Sequence, residues 1–207
     1  MNSTMQHGLF AILLCAACGT IAYAEEPSSR ELPFDRQRIN RYSLDHLPRS
    51  ISIRQGEDVW LGYDLQQAKP YKVWRAPEGE EGLKQSGFVM RSVGVTTFED
   101  KSDATWKLLR GGETTSISVR YLGCSERASH FELRWEITHD ADVMTLRERV
   151  PLMAQNSVTR EIQVEALPVG SQLLLPLSAK QGWNLMNAAG TPVASLTDAQ
   201  WYRLTSR

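Results

Sequence analysis

Glu148 is the carboxylate best placed for acid–base work in this chain. It shares strand parity with the apolar Met144, Leu146 and Val150, so it is expected to point with them toward a core. Glycoside cleavage needs two carboxyls flanking the bond, one of them kept protonated by burial. Two plainer readings compete: a position at a strand end, or pairing with an arginine such as Arg160. Cys124 and His130, six residues apart around an expected loop, are the nearest thing to a thiol–imidazole pair. A cysteine hydrolase would need that thiol as a thiolate beside the ring, and no hydrolase-like motif surrounds it. There is no Gly-x-Ser-x-Gly elbow and no glycine-rich phosphate loop.

Metal chemistry has equally little to build on. His139, Asp140 and Asp142 are the densest cluster, with one imidazole and no thiolate, and without the glycine and distant glutamate of a calcium loop. Aspartates in a hairpin turn ordinarily bond their own backbone, so no metal site is expected. Cys15 and Cys18 have the spacing of a haem attachment site, but Gly19 stands where histidine is required. No cofactor is expected. Trp60 and Trp74 offer binding rather than catalysis. Each lies opposite in parity to its apolar neighbours, and on one face of a hairpin they would form a stacking platform for a sugar ring. Packing against a second layer is the stronger of the two readings for such bulky rings.

The elements that would carry these residues are strands. Period-two alternation begins at Ser50: Ile51 and Ile53 alternate with Ser52 and Arg54, and the stretches 59–63 and 71–74 read as a hairpin. Phe131, Leu133, Trp135 and Ile137 face one way and Glu132, Arg134, Glu136 and Thr138 the other, which describes a half-buried antiparallel strand. Residues 139–142 make a polar turn and 144–150 return as its partner. Further strands are expected at 106–109, 115–122, 159–167, 172–177 and 201–204, a surface loop at 77–87, and one helical turn near 196–200. The pattern predicts an all-β fold, a single antiparallel β-sandwich over residues 49–207, behind a flexible leader at 25–48.

The N-terminus supplies an address. Residues 8–18 form an apolar run too short to span a membrane. Small residues Ala22 and Ala24 then precede Glu25-Glu26, the pattern of a signal peptide (residues 1–24) cleaved after Ala24. Lipidation at Cys18 is the minor alternative. Export leaves Cys124 as a lone thiol, expected to pack in the core as a small hydrophobe. With a net charge of -1, the chain has no global field for nucleic acid, and no later segment is long and apolar enough for a membrane span.

Leu47-Pro-Arg-Ser-Ile-Ser-Ile53, Val59-Trp-Leu-Gly-Tyr-Asp64, Tyr71-Lys-Val-Trp74, Gly87-Phe88, Val119-Arg-Tyr-Leu-Gly123 and Phe131-Glu-Leu-Arg-Trp135 together resemble a β-rich domain of large secreted bacterial proteins. There it accompanies c-type cytochrome modules and sugar dehydrogenase-like modules. The resemblance covers residues 47–150 and implies an accessory role beside redox or carbohydrate modules. It brings no catalytic residue, and the haem motif of the larger proteins is missing here.

The expected function is therefore that of an exported, periplasmic or secreted, non-catalytic domain binding a carbohydrate or a partner protein. If Trp60 and Trp74 form the platform, their replacement by alanine should abolish glycan binding without unfolding. An enzyme acting on a sugar or glycan through Glu148, and a structural cell-envelope protein assembling through exposed strand edges, are the alternatives.

Overall fold

Alternation lets the strand at 144–150 bury one face, and the computed structural model shows that pattern there, whereas the strand at 59–64 is buried on both faces. It describes residues 38–153, 157–176 and 182–206. The signal peptide, the Ala24 cleavage site, Cys18 and the leader up to residue 37 lie outside the described residues. The strands in chain order are β1 (Ile39–Asn40), β2 (Ser50–Gln55), β3 (Val59–Asp64), β4 (Lys69–Arg75), β5 (Leu83–Ser86), β6 (Val89–Ser92), β7 (Val95–Glu99) and β8 (Lys107–Arg110). They continue with β9 (Glu113–Ser116), β10 (Ser118–Glu126), β11 (His130–His139), β12 (Asp142–Pro151), β13 (Thr159–Glu165), β14 (Ser171–Leu174), β15 (Trp183–Met186) and β16 (Tyr202–Ser206).

No helix occurs among the described residues, and the fold is all-β and sandwich-like. One sheet has the order β1-β2-β3-β4-β7 and a larger one β10-β11-β12-β13-β16-β15; a three-stranded sheet β14-β8-β9 and the hairpin β5-β6 complete the set. The main core lies where Ile51, Ile53, Leu61 and Val73 of the first sheet meet Leu133, Trp135, Leu146 and Ile162 of the second. These side chains are the apolar half of each alternating pattern, and their removal from water is the principal force holding the sheets together.

Polar groups pin the layers where apolar packing alone would let them slide. Gln55 of β2 donates from Nε2 to the carbonyls of Pro151 and Thr159, each at 3.0 Å, tying the first sheet to the second. The Trp106 and Trp135 indoles donate to the carbonyls of Ala68 and Leu65, both at 3.0 Å, and so brace the β3–β4 turn. Lys69 is buried yet well supplied: its Nζ reaches the Ser102 carbonyl at 2.7 Å, the Ala104 carbonyl at 3.2 Å and Asp100 Oδ2 at 3.1 Å. Those contacts anchor the segment after β7 and neutralise both charges, which burial would otherwise make costly.

Three expectations need correction. Residues 38–48 are part of the domain: β1 pairs with β2 through Ile39 and Asn40, and Leu44 is wholly buried. Their sparse apolar residues act singly, through shape, so no period betrays them. Residues 83–86, expected in a loop, form β5 and pair with β6. The helical turn near 196–200 is a side-chain-bonded bend. Asp198 Oδ1 accepts from the Gln200 amide at 3.1 Å and the Tyr202 hydroxyl at 2.9 Å, and that hydroxyl accepts from the Thr197 amide at 3.0 Å. Aspartate offers the backbone this alternative to a helix.

Candidate functional site

Trp60 and Trp74 are cross-strand partners on β3 and β4, and their rings stack at a centroid distance of 5.9 Å with planes 11° apart. The shared face expected from the sequence therefore exists. It does not face solvent: Trp60 is 4% and Trp74 1% exposed. The β5–β6 hairpin and Leu44 cover the pair, forming a second small core with Ala76 and Leu83. Trp74 Nε1 donates to the Gly82 carbonyl at 2.7 Å. A Cβ at Gly82 would overlap the Trp60 indole, so only glycine lets the chain cross there. The proposed sugar platform is thus an internal joint, because a flat apolar pair this large gains more from a packed layer than from water.

Glu148 points inward as its parity implied, and it is completely buried. Its Oε1 accepts from the Tyr63 hydroxyl at 2.6 Å and from Arg160 Nη1 at 2.7 Å. Arg160 is itself buried and lies 4.6 Å from the Trp183 ring centroid. Burial and the Glu148 charge push the Tyr63 phenol well above its ordinary value, so it remains a donor. Burial opposes the Arg160 charge, but Glu148 and Tyr63 outweigh it and raise the guanidinium. Fully buried and paired with an arginine, Glu148 has the geometry expected of a structural ion pair.

The other reactive clusters come apart. In β10 Cys124 is level with the buried Leu133 and is half-buried, not sealed in the core; its thiol forms no disulfide. His130 sits one step out of phase with Phe131 and Leu133, on the outer face beside Glu132. The two residues therefore occupy opposite faces of the sheet. His139 Nδ1 lies 3.5 Å from Asp140 Oδ2, while Asp142 turns to Arg110 at 2.6 Å. Asp140 takes a left-handed conformation with φ 50°, the backbone duty expected of an aspartate in a two-residue hairpin turn.

Several carboxylates serve as junctions. Asp45 accepts from the Tyr71 hydroxyl at 2.8 Å, Lys72 Nζ at 3.0 Å and the Ser92 amide at 3.0 Å, joining the segment before β2 to β4 and β6. On the outer face of the large sheet Glu132 meets Arg147 at 3.0 Å and Arg149 at 3.2 Å, and Arg149 lies 3.8 Å over the Trp201 ring. Burial alone would raise the carboxyls of Asp45, Asp100 and Glu132, but hydrogen bonds and cations outweigh it and hold all three low. Such groups stabilise the fold when ionised and cease to do so once protonated. The urea midpoint should therefore fall as pH drops below the ordinary values of 3.8 for aspartate and 4.5 for glutamate. An unchanged midpoint between pH 6 and pH 3 would contradict this.

What remains for a ligand is the surface, where charge is segregated among clefts. A cleft of about 350 Å³ is lined by Asp45, Asp64, Glu99, Asp100 and Asp103 against His46, Lys69 and Lys101. Another of about 910 Å³ has Glu57, Asp58, Glu78, Glu80 and Glu81 against Arg54 and Arg75. The third, of about 520 Å³, lies between the start of β2 and β10. Arg41, Arg49 and Arg120 line it with Ile51, Leu65, Val119 and Tyr121, and among the described residues no acid lines it. Arg120 is held by Glu136 through Nε at 3.0 Å and Nη2 at 2.9 Å, which uses two of its five N–H donors. Sequence reasoning missed this trio, because Arg41 ends a charged run in the supposed leader and Arg49 sits at the domain boundary.

No protein-family model matches the chain, and neither the curated proteins nor the solved structures give a significant match.

Proposed function

We propose that this protein is an exported, non-catalytic β-sandwich domain that binds a partner protein, accessory to a redox or sugar-oxidising system as the sequence resemblance implies. The observation that carries the binding reading is the cleft lined by Arg41, Arg49 and Arg120, with no acid among its described lining residues. Guanidinium groups favour carboxylates in paired, planar contacts, so an acidic surface is the natural complement. The burial of Glu148, Trp60 and Trp74 supports the same reading, since each is occupied in holding the fold.

The mature protein should bind poly-L-glutamate in a salt-sensitive manner and ignore poly-L-lysine. Charge reversal by Arg49→Glu, at an exposed position, should weaken that binding by about tenfold while leaving the urea midpoint unchanged. Binding that is indifferent to the substitution would sink the cleft as the site.

Glycan binding is the second reading, and a different surface favours it. Tyr42 is 66% and Phe88 100% exposed, each two residues before a member of the parallel bridge between Leu44 and Met90. Exposed rings of this kind can stack on sugars. Binding on a glycan array that is lost with Phe88→Ala and kept with Arg49→Glu would assign this reading.

A further inference from the structure

We propose that the arginine cleft takes an extended acidic segment of the partner, added as a new strand to the free edge of β10; this rests on the reading of the cleft as a partner site. Among the described residues β10 has β11 as its single neighbour, and along 118–121 no described backbone group bonds to its other side, the arrangement of a sheet edge. That edge forms one wall of the cleft through Val119, Arg120 and Tyr121. The opposite wall is the start of β2, where Arg49, Ser50 and Ile51 also line the opening. Toward the start of β2 the pairing with β1 stops at Ser52, and the chain has left the sheet by Arg41. Among the described residues the cleft is thus a gap between two sheet margins, open where a strand would lie.

The side chains specify which strand fits. Val119 and Tyr121 pair with the buried Ile137 and Trp135, so they face the sandwich interior, while Arg120 pairs with Glu136 on the outer face. Added strands alternate in the same way, and paired positions share a face. The residue level with Arg120 should be acidic, and those level with Val119 and Tyr121 should be apolar. Arg41 and Arg49 add positive charge at the same opening. The register shift between Tyr121 and Gly123 ends the regular edge, which limits the docked stretch to the part of β10 before it. Four residues from Ser118 span roughly 13 Å, a short recognition motif.

The probe is a synthetic peptide of alternating glutamate and valine, titrated against the mature protein by fluorescence anisotropy. It should bind, weaken as salt rises, and lose about tenfold with Arg49→Glu. Amide hydrogen exchange should slow at 118–121 on binding. The same peptide N-methylated at alternate residues, on the edge that would pair with β10, should fail to bind, although its charge is unchanged. If the methylated peptide binds as well as the parent, or β10 gains no protection, strand addition is overturned and charge-based partner binding survives. If no acidic peptide binds while an oligouronate does, both the strand addition and the partner-protein reading fall, and the cleft belongs to a carbohydrate.

Discussion

Replacing Glu148 by alanine should cost about 3–5 kcal/mol of folding stability, read as a fall in the urea midpoint at neutral pH. The substitution strands the fully buried Arg160 guanidinium without its carboxylate and leaves the Tyr63 hydroxyl without its acceptor. Removing one partner of a buried pair is costly because the other charge stays out of water uncompensated. Replacing all three by apolar residues of similar volume, Tyr63→Phe with Glu148→Leu and Arg160→Met, should recover most of the loss. That contrast separates a structural ion pair from a catalytic acid, whose loss would leave stability nearly intact. A Glu148→Ala protein as stable as the parent would show that this carboxylate does not hold the Arg160 charge.

The Trp60→Ala, Trp74→Ala double variant should not fold under native conditions. Each large-to-small change in a packed core costs about 3–5 kcal/mol, against a total of about 5–15 kcal/mol for a domain. The rings are in contact, so the two losses will not simply add. Even so, the double variant removes the floor on which the β5–β6 hairpin rests, together with the bond from Trp74 to Gly82. Circular dichroism and tryptophan fluorescence would detect the loss, and Trp74→Ala alone should keep the fold with a lowered midpoint. A folded, cooperative double variant would mean that the hairpin layer contributes little. Of the two readings of the pair, a stacking platform for a sugar and packing against a second layer, the burial of both rings agrees with the second.

Legibility varied with how local the determining interaction was. The pairing of β11 with β12 could be read because Phe131, Leu133, Trp135 and Ile137 alternate without a break and a polar two-residue turn follows. The inward aim of Glu148 followed from the same parity, and Arg160 was the partner named from sequence. The cover over Trp60 and Trp74 could not be read so. Half of residues 83–92 are polar, and their burial of the tryptophans depends on Leu83, Met90 and the close passage at Gly82. A strand with two apolar anchors leaves almost no periodic signal.

Alternation along the chain suffices to make this protein all-β and to set which side chains of each long strand face inward. Those properties depend on neighbours within a few residues, where backbone geometry and burial act on a fixed period of two. The third layer, the sealing of Glu148, and the meeting of Arg41, Arg49 and Arg120 around one opening arise only when distant segments close on each other. A tryptophan face or an arginine reads the same in sequence whether it meets water or another layer, and the fold decides which it meets.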